Sequence, residues 1–318
     1  MFTITKTEEA GFKKIILADD NSGTKAEIIP QCGAILHLFG TTLNNSFINV
    51  IENYESADDF AANVTSKGFR SCKLSPFVCR IKNATYNFGQ KKYTIEKFLL
   101  GSSALHGLLY DVDFTIMDET VTGENCSVTL KNEYLGTDKG FPFTYTCEIK
   151  YTLTANCKLF IETTITNNGN SLMPVADGWH PYFTFGESID ECQLEFQSKE
   201  MLQFDKELIP SGKLLPYQEF GSLKKIKDAQ FDNCFTVNFA ECQPMCVVRC
   251  PSKKVQVEIY PDKTYPYLQL YIPPHRQSIA IENLSAAPDA FNNGIGLITL
   301  SKGKTASFIT SYKISAID

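Results

Sequence analysis

Alternation of apolar and polar residues runs through this chain from end to end, and turn residues interrupt it about every ten residues. Successive side chains of a strand point to opposite faces, so this alternation predicts strands that bury one face. Short spacing between turns favours antiparallel neighbours. The clearest runs are residues 25–30, 112–116, 127–130, 145–151, 160–166, 255–260, 267–272, 277–282 and 306–314.

Turn residues and the scarcity of helical patterns define the expected fold class. Ala155 and Asn156 separate two of the runs, as in a tight hairpin turn, and residues 167–170 end the next run with side chains that tolerate positive φ. One short helix is predicted over residues 56–64, with Ser56 as its N-cap. The sequence therefore predicts an all-β protein, a large antiparallel β-sandwich with few short helices, whose concave face can hold a ligand.

Length and charge set the expected organisation and argue against several kinds of partner. The 318 residues contain no stretch that is rich in Pro, Gly and Ser and poor in apolar residues, so we expect one domain over residues 1–318. A net charge of −6 with scattered basic residues gives no electrostatic footprint for nucleic acid. The N-terminus lacks the features of a signal peptide, and no apolar stretch is long enough to span a bilayer. We therefore expect a cytoplasmic protein without nucleic-acid or membrane partners.

Eleven cysteines are present, without the paired spacings of a disulfide framework or a zinc site. Cys242, Cys246 and Cys250 recur every fourth residue, which would suggest metal ligands if the segment were helical. The Val-Val-Arg sequence before Cys250, and Pro251 after it, favour a strand, in which these positions lie too far apart for one ion. We therefore expect no metal, no cofactor and mostly buried, reduced cysteines.

The most informative functional segment is Asp-Gly-Trp-His-Pro-Tyr-Phe at residues 177–183. Pro181 biases His180 away from helix, and the neighbouring rings supply flat apolar walls against which a pyranose ring can pack. A second histidine, His106, precedes Gly107, and glycine allows close approach of backbone or ligand. Both histidines are candidates for a sugar site.

Two carboxylates are further candidates, and two other histidines are not. Glu282 ends an apolar run where a strand gives way to a loop; it is either a solvated strand end or a partly buried general base with a raised pKa. Asp232 is either a turn-former or an acceptor for sugar hydroxyls. His37 lies in an apolar run and is expected in the core or at a strand edge, whereas His275 follows two prolines in an expected exposed loop.

Five separate segments resemble motifs of the aldose 1-epimerase (galactose mutarotase-like) family, and they follow the family's order over most of the chain. The segments are Pro-Phe-Val-Cys-Arg-Ile at 76–81, Ala-Leu-His-Gly at 104–107, Gly-Trp-His-Pro-Tyr-Phe at 178–183, Phe-Asp-Asn at 231–233, and Ile-Glu-Asn at 281–283 with Pro-Asp-Ala-Phe-Asn at 288–292 behind it. Each motif is short, but five in order make a specific match.

The resemblance implies a β-sandwich of the galactose mutarotase type and an enzyme that interconverts the α and β anomers of a hexose by opening and reclosing its ring. It assigns Glu282 as the general base for the anomeric hydroxyl and His180 as the general acid for the ring oxygen. Arg80, His106 and Asp232 would bind sugar oxygens, with no metal or cofactor. Ring opening needs such an acid and base around one anomeric centre, and each positioned proton transfer contributes ~10²–10⁴-fold.

Two departures from the family pattern and two alternatives accompany this prediction. Cys79 stands where many members have Asn, and Leu108 stands where many have a second Gly. A hexose 6-phosphate mutarotase would need a cationic pocket, for which Arg70, Lys73 and Arg276 are candidates. A non-catalytic sugar-binding protein on the same fold would need neither acid nor base.

Overall fold

The computed structural model describes residues 1–317, and most of its regular structure is β-strand. The strands, in chain order, are β1 (Phe2–Glu9), β2 (Phe12–Asp19), β3 (Thr24–Ile29), β4 (Ile35–Leu43), β5 (Ser46–Asn49), β6 (Lys73–Leu74), β7 (Arg80–Ile81), β8 (Thr85–Phe88), β9 (Lys91–Thr94), β10 (Leu99–Leu100), β11 (Ser103–Leu105), β12 (Thr115–Val121), β13 (Asn125–Leu135), β14 (Thr144–Thr154), β15 (Lys158–Asn167), β16 (Met173–Val175), β17 (Gly178–Trp179), β18 (Tyr182–Phe183), β19 (Gln193–Phe196), β20 (Glu200–Phe204), β21 (Pro210–Pro216), β22 (Lys224–Lys225), β23 (Asp232–Thr236), β24 (Cys246–Cys250), β25 (Val255–Ile259), β26 (Tyr267–Tyr271), β27 (Ile279–Leu284), β28 (Ile298–Leu300) and β29 (Thr305–Ala316). The all-β prediction is confirmed.

Helical segments are short and connect strands. Two α-helices, α1 (Ala57–Asn63) and α2 (Ala290–Asn293), and three 3₁₀ turns, Pro30–Cys32, Lys82–Ala84 and Ile189–Glu191, occur in the described chain. The predicted cap of α1 is confirmed, because the Ser56 hydroxyl accepts the Asp59 N–H at 3.0 Å. None of the helices in residues 1–317 has the length and apolar character needed to cross a membrane.

A nine-stranded sheet, in the order β12-β13-β14-β15-β29-β25-β24-β19-β22, carries the longest strands. Buried residues alternate with more exposed ones along β14 and β15, so one face packs inward and the other faces solvent. Residues 155–157 join these two strands, and Asn156 and Cys157 have φ of 63° and 55°, as a tight hairpin turn requires. The predicted hairpin is therefore confirmed.

An eight-stranded sheet positions the candidate site, with a main order of β21-β20-β23-β26-β27-β17-β6 and β18 paired to β27. Every residue of the central strand β27 is buried. Within this sheet Gln269 lies opposite Glu282, and Asp232 lies opposite Tyr271. Residues directly opposite one another in a sheet share a face, so adjacent strands bring these polar side chains together.

Side chains of the two large sheets pack against each other in a sandwich. Trp179 lies against Tyr151, with ring centroids 6.0 Å apart, and Phe235 lies 4.8 Å from Phe196. The largest cluster of buried apolar side chains runs from Phe2 to Ile314 and includes the five-stranded sheet β1-β2-β3-β4-β5. One continuous core of this kind supports the prediction of a single domain, which stays a prediction.

Three local expectations need correction or completion. Residues 112–114 lie outside the strand expected at 112–116, because β12 begins only at Thr115. Helix α2 was not anticipated; its four residues follow Asp289, whose φ is 61°. Nine of the eleven cysteines are buried as expected, while Cys157 is partly buried and Cys242 is exposed; none forms a disulfide.

Candidate active site

His180 and Glu282 form a buried pair at the floor of a cavity. His180 Nε2 lies 3.3 Å from Glu282 Oε1, and the residues are 4% and 2% exposed. The backbone of His180 is held on both sides, since its N–H donates to Cys72 O at 3.1 Å and its carbonyl accepts from Ser71 N–H at 2.8 Å. Glu282 lies on the fully buried strand β27. The pair is therefore fixed by backbone hydrogen bonds as well as by packing.

Aromatic rings enclose the histidine of this pair. The ring of Tyr182 stacks on His180 at a centroid distance of 5.1 Å and 14° between planes, and His106 meets His180 edge-on at 4.8 Å. Phe69 packs against His106 at 4.7 Å, while the Tyr182 hydroxyl donates to Gly68 O at 3.1 Å. These contacts fix the ring orientations and leave the His180 side chain almost fully buried.

Burial shifts the pKa of each member of the pair in the direction that favours its neutral form. Burial raises the pKa of Glu282 well above its usual range, and the nearby Asp232 carboxylate adds to the shift. Burial lowers the pKa of His180 to about 4, and it lowers the pKa of His106 as well. Both shifts favour the form of the pair that holds one proton, in which one member can donate and the other can accept.

Strained backbone places His106 beside the pair. His106 and Cys79 have φ of 60° and 47°, and the His106 N–H donates to Cys79 O at 2.8 Å. A Cβ at Gly107 would lie 2.4 Å from the carbonyl oxygen of Ser75, so this position requires glycine. The predicted close approach at Gly107 is an approach of backbone, and it fixes the loop that carries His106.

A polar wall adjoins the pair. Arg80 lies on β7, and its backbone is tied to Asp289, whose N–H donates to Arg80 O at 2.7 Å. Gln269 donates through Nε2 to Asp232 Oδ1 at 3.1 Å, and burial raises the pKa of Asp232. Among residues 1–317 no carboxylate lies within 4 Å of the Arg80 guanidinium. Arg80 is thus a cation available to a ligand.

Several buried polar atoms around this cavity have no hydrogen-bonding partner within the described chain. They are His106 Nδ1, His180 Nδ1, Glu282 Oε2 and Gln269 Oε1. Buried polar atoms are ordinarily hydrogen-bonded, so a concentration of unpaired ones at one cavity points to a ligand rich in donors and acceptors. A sugar, with its hydroxyl groups, has that character.

The five predicted site residues, Glu282, His180, Arg80, His106 and Asp232, all line this one cavity. Their catalytic and binding roles stay a prediction. Sequence reasoning missed Gln269, for which the available signal was its place in a strand expected to pair with the strand of Glu282. Of the two departures from the family pattern, Cys79 lines the cavity and Leu108 is buried outside its lining.

The cations considered for phosphate binding lie elsewhere. Arg70 pairs with Glu52 at 2.6 Å, and Arg276 pairs with Asp190 at 2.6 Å. Lys73 is fully buried, with Nζ 2.5 Å from Asp177 Oδ2. None of the three lines the cavity, whose described lining includes Arg80 as its one Lys or Arg side chain.

One group of side chains at the floor could hold a metal ion. Ligand atoms of His106, His180 and Glu282 lie within 4.8 Å of one another. Two ligands of one zinc ion, each ~2.0–2.1 Å from it, are at most about 4.2 Å apart. The pair His180 Nε2 and Glu282 Oε1, 3.3 Å apart, falls within that limit, so the residue types and this spacing are compatible with a metal ion.

Comparison with known proteins places this chain in a family. The sequence model described as aldose 1-epimerase matches residues 14–313, which is nearly the whole chain. The chain belongs to the aldose 1-epimerase family. A relative in Escherichia coli K12, the uncharacterised protein YihR, is 30% identical over 238 residues, or 73% of this chain and 74% of the relative. Family membership supports an epimerase activity.

Solved structures confirm the galactose mutarotase-like fold. A galactose mutarotase-like protein of Clostridium acetobutylicum superposes with a TM-score of 0.87 at 17% identity, covering 99% of each chain. A galactose 1-epimerase of Lactobacillus acidophilus gives a TM-score of 0.82 at 17% identity, covering 100% of this chain and 99% of its own. At these identities the comparison shows the fold alone.

Proposed function

We propose that this protein is an aldose 1-epimerase that interconverts the α and β anomers of a free, neutral hexose, without a metal or cofactor, in the cytoplasm. The observation that carries the proposal is the buried pair of His180 Nε2 and Glu282 Oε1, 3.3 Å apart at the floor of the cavity. A pair that shares one proton can open a sugar ring by giving a proton to one oxygen while it takes a proton from another.

His180 and Glu282 together account for both protons that move in the reaction. One member takes the proton of the anomeric hydroxyl while the other protonates the ring oxygen, and the bond between C1 and the ring oxygen breaks. The free aldehyde then turns, and the ring closes on its other face as both protons return. The family resemblance assigns the base to Glu282 and the acid to His180, and reclosure reverses these roles because each step is the reverse of the other.

Binding of the hexose is proposed to involve the polar wall. Arg80, His106, Asp232 and Gln269 supply a cation, an imidazole, a carboxylate and an amide in the lining of the same cavity as the acid/base pair. Together they can donate to and accept from several hydroxyl groups at once, which orients C1 toward the pair. Orientation of this kind supplies much of the advantage of an enzyme over free acid and base.

A neutral hexose fits this cavity better than its 6-phosphate. The three other cations considered are taken up by Glu52, Asp177 and Asp190. A phosphate dianion would therefore meet Arg80 alone, beside the two carboxyl groups of Glu282 and Asp232. Phosphate sites usually recruit several Arg or Lys donors.

The deciding experiment follows anomer interconversion of freshly dissolved α-glucose and α-galactose by polarimetry or NMR, with and without protein. We expect Glu282→Gln to lower kcat by more than ~10²-fold, because the amide keeps the shape of the carboxyl group and cannot take up or release the proton. Sugar binding, measured by calorimetry, should survive this substitution.

Glu258→Gln is the matched control, since Glu258 is also a buried carboxylate, 7% exposed, on strand β25 away from the cavity. It should leave turnover unchanged. Wild-type protein that binds both sugars without accelerating their interconversion would make it a sugar-binding protein. Retained activity in Glu282→Gln would move the proton transfer to another group.

A further inference from the structure

We propose that Asp289 is a positioning residue for the reaction: it holds the short strand of Arg80 and thereby sets where the Arg80 guanidinium lies in the cavity. The inference rests on the proposed function, which takes Arg80 as a ligand of the sugar. Pro288 lines the cavity, whereas Asp289 is absent from its described lining and is 4% exposed. Any effect of Asp289 on a bound sugar is therefore transmitted through another residue.

Strand β7 has little support of its own. It consists of Arg80 and Ile81, and one of its edges pairs with β11, where Leu105 lies opposite Arg80. Just before it, Cys79 has a φ of 47°, so the chain leaves the direction of the strand at once. Backbone N–H and C=O groups on the other edge also need partners where the chain is buried. Something other than β11 must therefore hold that edge.

Asp289 supplies both bonds on this second edge. Its N–H donates to Arg80 O at 2.7 Å, and its Oδ1 accepts the Lys82 N–H at 2.9 Å. These two backbone groups flank Ile81 along the chain and face the same edge of the strand. A neighbouring parallel strand would bond them with the N–H and the C=O of one residue. Here the carboxylate replaces that C=O, so a single residue completes the pairing of β7.

The conformation of Asp289 suits this double contact. Its φ of 61° and ψ of 25° lie in the left-handed region, which Asp and Asn occupy more readily than most residues. Asn292 Nδ2 donates to the same Oδ1 at 2.7 Å and to Thr85 O at 2.9 Å. The oxygen that accepts from Lys82 is therefore held by two donors, and the end of β7 is held with it.

Asp289 links the strand of Arg80 to the strand of the acid/base pair. It lies on the segment that follows β27, which carries Glu282, and β11 on the other edge of β7 leads directly into His106. No carboxylate of the described chain lies within 4 Å of the Arg80 guanidinium, so no ion pair fixes the end of that side chain. The direction that β7 gives to the side chain of Arg80 therefore determines what the guanidinium reaches.

The main test is Asp289→Gly, which keeps the left-handed backbone and the N–H and removes only the carboxylate. A displaced Arg80 weakens sugar binding alike in the ground state and in the transition state. We therefore expect KM for glucose to rise about tenfold and kcat to stay within about twofold of wild type. Asp289→Asn keeps an acceptor oxygen and tolerates the same φ, so both values should stay within about twofold.

Two further variants make the result specific. Asp262→Gly is the matched control: Asp262 Oδ1 accepts the Thr264 N–H at 2.8 Å and its N–H donates to Ile309 O at 3.0 Å, outside the cavity. It should lower Tm and leave KM unchanged. Asn292→Ala removes a donor to Asp289 from an exposed position, and it should raise KM about two- to threefold even if Asp289→Gly does not fold. An unchanged KM in either variant of this contact, Asp289→Gly or Asn292→Ala, would overturn the inference.

A double-mutant cycle separates positioning from a general structural role. In Arg80→Ala there is no guanidinium to place, so the addition of Asp289→Gly should change KM by less than about twofold. An equal loss in the wild-type and Arg80→Ala backgrounds would make Asp289 a purely structural residue and would overturn the inference.

Two measurements without turnover separate this inference from the proposed function. Calorimetry in the Glu282→Gln background should show weaker glucose binding when Asp289→Gly is added, whether or not any sugar is turned over. If no sugar binds, the proposed function fails, and NMR of the Arg80 Nε–H group, assigned with Arg80→Ala, still decides. A signal that shifts or broadens in Asp289→Gly but not in Asp262→Gly supports the inference. A signal that is unchanged in both variants overturns it.

Discussion

Glu282 is an acid whose surroundings favour its protonated form. The basic side chain that it contacts is His180. Among the described residues no Lys or Arg lies within 4 Å of its carboxyl group. Burial raises its pKa and lowers the pKa of His180 to about 4. Both shifts favour placement of the shared proton on Glu282. If Glu282 is to take the anomeric proton, binding of the sugar must first move the shared proton to His180.

This proton distribution predicts how activity depends on pH. We expect a bell-shaped profile of kcat/KM, because only the pair with one proton can both give and take. Below a pH of about 4, His180 gains a second proton and activity falls. Above the raised pKa of Glu282, the last proton is lost and activity falls again. The acid limb then belongs to His180 and the alkaline limb to Glu282, the reverse of what their ordinary pKa values give.

The substitution Asp232→Asn tests the assignment of the alkaline limb to Glu282 and the acid limb to His180. Removing the nearby carboxylate should lower the pKa of Glu282 and move the alkaline limb to lower pH, while the acid limb stays in place. Steady-state rates over a broad pH range measure both limbs. An alkaline limb that does not move, or that moves upward, would contradict the assignment.

Cys79 is a second residue at which the cavity can be altered. Its φ of 47° lies in the left-handed region, which Asn tolerates better than most residues, and its side chain lines the cavity. We expect Cys79→Asn to retain stability and to lower KM for neutral hexoses, because an amide adds a donor and an acceptor beside Arg80.

Leu108→Gly, the other position that departs from the family, should instead lower Tm and leave KM unchanged, since Leu108 is buried away from the cavity.

At the scale of elements, a buried ion pair stands behind the site. Lys73 of β6 lies 2.5 Å from Asp177, beside β17, and 4.4 Å from the ring of Trp179. Asp177 also accepts from the Tyr265 hydroxyl at 2.7 Å. This network joins strands on either side of the segment that carries His180. Both contacts converge on Asp177 Oδ2, so the removal of Lys73 leaves a buried carboxylate without its cation.

We therefore expect Lys73→Met to lower the free energy of unfolding by ~3–5 kcal/mol, measured by urea denaturation. The loss should shrink in the double variant Lys73→Met with Asp177→Asn, where no buried charge is left alone. The control is Lys224→Met, which removes an exposed pair with Glu219 and should cost less than ~1 kcal/mol. A similar cost for Lys73→Met and Lys224→Met would show that the buried pair contributes little.

Elements with strong local signals were predictable, and elements set by tertiary contacts were not. Helix α1 has Ser56 as a cap and a clear helical pattern, so its position could be read from the sequence. The alternation at 112–114 is as clear as elsewhere, yet the Gly33 N–H donates to Val112 O and Phe114 N–H to Pro30 O, which holds these residues in a loop. Helix α2 has only four residues, too short for periodicity to show.

The same distinction applies to the site. Glu282, His180, Arg80, His106 and Asp232 could be chosen because motif and residue type agreed, whereas Gln269 belongs to the cavity through strand pairing alone. That the phosphate candidates Arg70, Lys73 and Arg276 are engaged by carboxylates could not be read from one sequence, since partners such as Glu52 and Asp177 are distant along the chain.

At the scale of the whole molecule, charge favours neutral substrates. The chain carries a net charge of −6, and Arg80 is the one Lys or Arg side chain in the described lining of the cavity. We expect glucose to turn over faster than glucose 6-phosphate at matched concentration, measured by NMR exchange at low ionic strength, where repulsion is least screened. A clear preference for the phosphate would contradict the proposal of a neutral substrate.

The continuous core predicts that the molecule unfolds as one unit. Buried apolar side chains from Phe2 to Ile314 form one cluster across the sheets. We expect a single calorimetric transition whose midpoint coincides with the loss of β-sheet circular dichroism. Two separated transitions would divide residues 1–318 into more than one domain.

Trp179 is the one tryptophan of the chain, 2% exposed, packed between Lys73 and Tyr151 on the residue just before His180. The protein therefore carries its one indole fluorophore at the backbone of its candidate site. Its emission should be blue-shifted and inaccessible to iodide in the folded state. With excitation selective for tryptophan one indole gives the whole signal, so a change in that emission on adding sugar reports a change around the segment that holds His180, with no label required.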